Sequence, residues 1–175
     1  MVDPSKNLCY LAGPFFNHEQ EHIIRRLEAL MDVAGVPYFS PQKDAGKVEK
    51  GADPAVWQQV FDRNCGALGE MGWMLAVLPY ALPDNAKLLL VTQPRRRPPE
   101  CKGVHLPDTG TVWEMGFAAA RQVPVVGFVP DEFELKGINV MLARGMSDVV
   151  LGYKELEDLL AGRRAEKRQL WEGLY

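Results

Sequence analysis

At 175 residues, 47% hydrophobic and 25% charged, the chain has an ordinary globular composition and the length for one domain with a sizeable core. A net charge of −3 argues against a dedicated nucleic-acid binder. No apolar run approaches a membrane span, and Met1 to Lys6 lacks a signal-peptide core, so no membrane partner and a cytoplasmic location are expected.

Cys9, Cys65 and Cys101 are an odd number without C-x-x-C spacing, and read as reduced thiols of an intracellular protein. His18 and His22 are four apart, but His105 is distant and no third ligand lies near. They read as solvated surface histidines, and neither a metal nor a cofactor is expected.

Asn7 to Gly13 is a short apolar run ending in Gly-Pro, the pattern of a buried strand followed by a sharp turn. Asn17 to Ala34 reads as a helix capped by Asn17, with Ile23, Leu27, Leu30 and Met31 as its apolar stripe. Val36 to Pro41 reads as a second strand. The polar stretch from Gln42 to Asp53, broken at Gly46 and Gly51, reads as a loop placed to act as a lid. Asp53-Pro54 opens a second helix that runs to about Leu68, with the proline at a tolerated first-turn position. Trp73 to Leu78 is a continuous apolar run, as in a central strand buried on both faces.

Pro79 to Leu106 is the least regular stretch. It holds a candidate extra strand, Lys87 to Thr92, and the basic run Arg95 to Arg97, which reads as a solvated insertion loop. Asp108 to Ala120 then forms a helix that Thr109 or Thr111 can cap. This places Asp108 just outside the helix and Glu114 in its first turn, where the partial positive charge stabilises carboxylates. Two readings of Glu114 stand side by side. Thr111-Val112-Trp113-Glu114 fits a capping box, and a carboxylate set among Trp113, Met115 and Phe117 also fits a nucleophile.

Val123 to Val129 is a further strand, Ile138 to Ala143 a short helical turn, Asp148 to Leu151 a last strand and Lys154 to Arg168 a closing amphipathic helix. Strands alternating with helices imply a parallel sheet covered on both faces. The expected fold is α/β: a single-domain flavodoxin/Rossmann-like three-layer sandwich over residues 1–175, with a mostly parallel five-stranded sheet and an insertion at about 80–106.

In such a sheet, ligands bind at the carboxyl ends of the strands. Gly13 to Phe16, Pro41 to Asp44 and Asp108 to Glu114 all lie there. No G-x-G-x-x-G follows the first strand, no G-x-x-x-x-G-K-[ST] occurs, and no acidic pair follows the first strand. What remains is an aromatic wall of Tyr10, Phe15 and Phe16 beside carboxylates. Aromatic faces stack a planar base, while carboxylates hold sugar hydroxyls or attack an anomeric carbon.

The sequence here resembles the nucleoside 2-deoxyribosyltransferase family. The matching pieces are Tyr10 to Phe16, then Asp108-Thr109-Gly110-Thr111-Val112-Trp113-Glu114-Met115-Gly116, then Ile138 to Met141, and the terminal Gly173-Leu174-Tyr175. They span nearly the whole chain in the family's order, and the central D-x-G-T-x-x-E-x-G piece is the most specific.

The resemblance implies transfer of 2-deoxyribose between nucleobases by double displacement through a deoxyribosyl-glutamate on Glu114, within nucleoside salvage. It implies that Tyr10 orients Glu114, that Asp108 holds a sugar hydroxyl and that Gly110 binds substrate. Phe15 and Phe16 would wall the base, and Gln42 or Asp44 would bond or protonate it. Asn139 and Met141 would reach the site of a neighbouring subunit, so the expected assembly is a dimer-based homo-oligomer, up to a hexamer, with shared sites. Its partners would be 2′-deoxynucleosides and free nucleobases. The tail, through Trp171, Leu174 and Tyr175, would dock near the site and offer its α-carboxylate.

There is one departure. Phe61-Asp62-Arg63-Asn64 puts Asn64 where many relatives carry a base-recognising aspartate, and an amide bonds a base without protonating it. Two other readings are a deoxynucleoside 5′-monophosphate N-glycosidase and a non-catalytic nucleotide-sensing domain. The first needs a phosphate pocket of small residues near the first strand, a place that Phe15 and Phe16 crowd.

Overall fold

The computed structural model describes residues 4–78, 108–133 and 140–164. Five strands form one sheet: β1 (Cys9–Ala12), β2 (Tyr38–Phe39), β3 (Trp73–Val77), β4 (Val125–Val129) and β5 (Asp148–Leu151). Their order is β2-β1-β3-β4-β5, and every pair among the described residues is parallel. This is the flavodoxin-like order, whose reversal point lies between β1 and β3.

Among the described residues, five α-helices cover the sheet: α1 (His18–Ala34), α2 (Pro54–Glu70), α3 (Thr109–Ala120), α4 (Val140–Gly145) and α5 (Gly152–Leu160). Alternation along the strands sorts the core into two halves. Cys9, Leu11, Trp73, Leu75, Val126 and Phe128 meet α1 and α5. Tyr10, Ala12, Met74, Ala76, Val125 and Val129 meet α2, α3 and α4. Both faces of β1, β3 and β4 are therefore dry, which accounts for their unbroken apolar runs.

Asn17 caps α1, its side chain accepting from the Gln20 N–H at 2.9 Å, and Gly35 ends the helix in the left-handed region at φ 66°. Asp53 caps α2 through the Ala55 N–H at 2.7 Å, with Pro54 at the first helical position.

Three boundaries differ from the sequence reading. Between Val36 and Pro41, only Tyr38 and Phe39 pair, because Pro37 and Pro41 flank them without N–H groups. The stretch read as a loop from Gln42 begins as one π-helical turn, Pro41–Ala45, with the Ser40 N–H held by Asp44 Oδ2 at 2.7 Å. The last helix closes at Leu160, not Arg168, in a turn where Gly162 takes φ 67°. The insertion at 80–106, the candidate strand at Lys87 to Thr92, the Arg95 to Arg97 run and the tail lie outside the described residues.

Gly13, directly after β1, is required by close approach. A Cβ there would stand 2.8 Å from Ile24 Cδ1 and 3.0 Å from Val77 Cγ2. The chain thus leaves the sheet squeezed between α1 and β3, at the reversal point where an open sheet offers its ligand crevice.

Candidate active site

The candidate site lies on the α2–α3 side of the sheet. Tyr10 stands on that face of β1, fully buried, with its ring stacked on Phe39 of the neighbouring strand at 5.6 Å and 21°. Cα register pairs the same two residues. The Tyr10 hydroxyl donates to Glu114 Oε1 at 2.6 Å, the short distance of a charge-assisted bond.

The helix that brings Glu114 there is capped by neither threonine. Asp108 is the cap: its Oδ2 accepts from the Thr111 N–H at 2.9 Å and from the Thr111 hydroxyl at 3.3 Å. The carboxylate satisfies an orphan donor at the positive end of the helix, so α3 begins at Thr109. Glu114 then falls in the second turn, not the first, and the Thr111–Glu114 capping box does not form. Thr111 is buried inside the helix. Gly110 leaves room for the cap, since a Cβ would lie 3.0 Å from Asp108 Oδ2.

Burial pushes the Glu114 carboxyl up to about 7; the Tyr10 hydrogen bond pulls it back, and the Asp108 charge pushes it further up. The Tyr10 hydroxyl is itself driven well above the usual phenol range, first by burial and then by the Glu114 charge. Tyr10 is therefore a fixed proton donor toward Glu114. A carboxylate with one oxygen held and a half-buried residue frame is poised between ionised and neutral near physiological pH.

The π turn packs against α2 on the same side. Gln42 Oε1 in that turn and Asn64 Oδ1 on α2 are both buried without a hydrogen-bond partner among the described residues. Unpaired buried acceptors cost about 1–3 kcal/mol each, and a ligand bearing N–H groups relieves that cost. Asp44 is committed otherwise, with one carboxylate oxygen on the Ser40 N–H.

The aromatic wall divides in two. Tyr10 belongs to the floor, whereas Phe15 packs toward α1 and α5 and stacks on Phe16 at 5.7 Å and 21°. The Phe16 ring is 68% exposed. A second aromatic rim, unforeseen from sequence, joins Phe61 of α2 to Trp113 of α3 at 6.2 Å, and Trp113 to Phe117 at 5.9 Å. Arg121 binds α2 to α3 below them, donating to the carbonyls of Leu68 and Gly69.

Met141 on α4 is exposed, while Asn139 and Tyr175 lie outside the described residues. Cys65, read only as a reduced thiol, lies within electrostatic reach of Glu114 and Tyr10. Gln20, also overlooked, is legible in hindsight from the Asn17-His18-Glu19-Gln20 spacing of a capping pair. Among the described residues, no group of three His, Cys, Asp or Glu is arranged to hold a metal.

The family model for nucleoside 2-deoxyribosyltransferase matches residues 9–167. The chain belongs to that family.

Two similar solved structures agree in fold with this nucleoside 2-deoxyribosyltransferase family member, and a third is more distant. A 2-deoxyribosyltransferase from Bacillus psychrosaccharolyticus is 24% identical with a TM-score of 0.63, over 86% of this chain and 90% of that one. A conserved protein from Enterococcus faecalis V583 is 17% identical with a TM-score of 0.58, over 90% and 98%. A Clostridium botulinum CMP N-glycosidase is 13% identical with a TM-score of 0.48, over 87% and 94%. No curated protein sequence matches the chain. Among the described residues of this family member, no helix is long and apolar enough to cross a membrane.

Proposed function

We propose that this chain transfers 2-deoxyribose from one nucleobase to another by double displacement at Glu114, a reaction of nucleoside salvage. The observation that carries the reading is the 2.6 Å bond from Tyr10 to Glu114 Oε1. It leaves the other carboxylate oxygen to attack while holding the group in one orientation.

In the first step a Glu114 oxygen forms a bond to C1′, and the C1′–N bond breaks with its electron pair passing to the base. The departing base takes one proton from solvent, and Glu114 is left as the deoxyribosyl ester. In the second step a nitrogen of the incoming base attacks C1′, the ester bond breaks, and Glu114 is released as carboxylate. The incoming base gives up one proton, so the cycle is balanced, and two inversions give retention. A sugar lacking the 2′-hydroxyl tolerates the oxocarbenium character of both transition states.

Asp108, with one oxygen capping α3, is assigned the sugar hydroxyl, beside Gly110. Gln42 and Asn64 are assigned the base, because their buried oxygens lack partners. Phe15 and Phe16 are assigned the base's ring face, and Asp44 the margin of the base pocket. Exposed Met141, with Asn139 and Tyr175, is assigned to completing sites in a homo-oligomer.

A nucleoside fits this reading better than a 5′-phosphate. Asn17 already caps α1, Glu19 adds negative charge to its first turn, and Phe15 and Phe16 stand before it. The test is incubation with a deoxynucleoside and a different free base, followed by chromatography. A swapped nucleoside is expected. Release of free base alone would mean a hydrolase, and no change would mean a binding domain.

A further inference from the structure

The turn between β1 and α1 holds its most exposed ring by an unusual attachment. The Phe16 N–H donates to Gln20 Oε1 at 2.9 Å, and the Gln20 N–H donates to Asn17 Oδ1 at 2.9 Å. In an ordinary capping box the third helical side chain returns to the N–H of the cap itself. Here it passes over Asn17 and takes the amide of the aromatic residue before it.

Gln20 is only 7% exposed, and its Nε2 has no hydrogen-bond partner among the described residues. The side chain lines a pocket of about 10 Å³ with Pro14, Asn17, Glu19, Ile23, Val77 and Phe133, room for about one water. Burying an amide donor this way is unfavourable by itself. The Gln20 oxygen is committed to the Phe16 N–H, and burial limits the other positions the side chain can take.

Phe16 is otherwise poorly restrained. Its ring is 68% exposed and touches Phe15 by stacking at 5.7 Å, while Phe15 is anchored in the α1–α5 half of the core. Two restraints thus act on Phe16: the stack on Phe15 holds the ring, and the bond to Gln20 holds the backbone that carries it. We propose that Gln20 is a positioning residue that fixes Phe16 as a preformed stacking surface for the nucleobase. Preformation spares the cost of ordering the turn when the substrate arrives, which affects binding more than chemistry. The proposal rests on the base-exchange reading above.

The test compares Gln20→Met, which keeps the volume and loses the acceptor, with Gln20→Glu, which keeps an acceptor. Amide hydrogen exchange at Phe16 and steady-state kinetics with a deoxynucleoside donor are measured for both. In Gln20→Met, Phe16 is expected to exchange about tenfold faster and KM to rise about tenfold, with kcat within about twofold. Gln20→Glu is expected to restore both toward the parent values. A Gln20→Met protein that melts lower but keeps the parent KM would reduce Gln20 to a helix cap and overturn the proposal. So would unchanged exchange at Phe16, or a Gln20→Glu protein with a KM no better than that of Gln20→Met. A parent protein without turnover would instead overturn the functional reading, and this is visible before any variant is made.

Discussion

Tyr10 and Glu114, 104 positions apart in the chain, meet through a 2.6 Å hydrogen bond across the α2–α3 face of the sheet. The tyrosine is placed by a strand buried on both sides and the glutamate by a helix whose start is fixed at Asp108. Neither residue reaches the other by local structure, so the pair reports directly on how α3 docks.

Glu114→Gln is expected to abolish base exchange, by at least about 1,000-fold, while the fold persists. Stability should move the other way. The unfolded chain releases this proton near 4.5 and the folded chain near 7, so the folded state binds more protons in between and loses stability as pH rises through that window. Removing the charge should therefore stabilise the protein by about 1–3 kcal/mol at pH 8, with the gain vanishing below pH 4.5. Melting curves at both pH values, set beside exchange rates, check it; retained turnover would remove Glu114 from the mechanism.

If Glu114 attacks as proposed, the pH dependence of kcat/KM should rise through about 7, because that carboxyl must be ionised. The Tyr10 hydrogen bond favours the ionised form, so Tyr10→Phe should shift the rise to higher pH and lower the rate about tenfold at pH 7. A Tyr10→Phe profile that superimposes on the parent's would separate Tyr10 from Glu114 activation.

Gly13→Ala is expected to cost about 1–3 kcal/mol, since the new methyl meets Ile24 Cδ1 and Val77 Cγ2 within 3.0 Å. Ile24→Val deletes the nearer atom. The double variant should be more stable than the sum of the two single effects, a coupling that denaturant unfolding can measure. Strict additivity would refute the contact as the cause.

Arg164 donates to Asp148 Oδ2 at 2.9 Å and to the Val149 carbonyl at 2.8 Å, with both side chains largely buried. Arg164→Met should destabilise the protein by about 3 kcal/mol, because the Asp148 carboxylate keeps its burial and loses this cation. Asp148→Asn in the same background should recover part of the loss. Equal unfolding midpoints for parent and Arg164→Met would show the pair to be energetically idle.

The sequence by itself determined the parallel α/β architecture, because its signals are local. Asn17 and Asp53-Pro54 are caps at the helix starts, Ile23, Leu27 and Met31 form a 3.6-residue stripe, and β3 and β4 are unbroken apolar runs. It also placed Tyr10, Asp108 and Glu114 at the crevice end of the sheet. Tertiary structure decided what each of them does. Competition at the start of α3 favoured the Asp108 carboxylate over two threonines, moving Glu114 into the second turn and leaving it free for Tyr10. The Asp44 oxygen went to Ser40, the Phe15–Phe16 pair parted from Tyr10, and Gln20 turned inward to hold Phe16. Such outcomes depend on which polar atoms burial leaves without water, and burial is set by elements far apart in the chain.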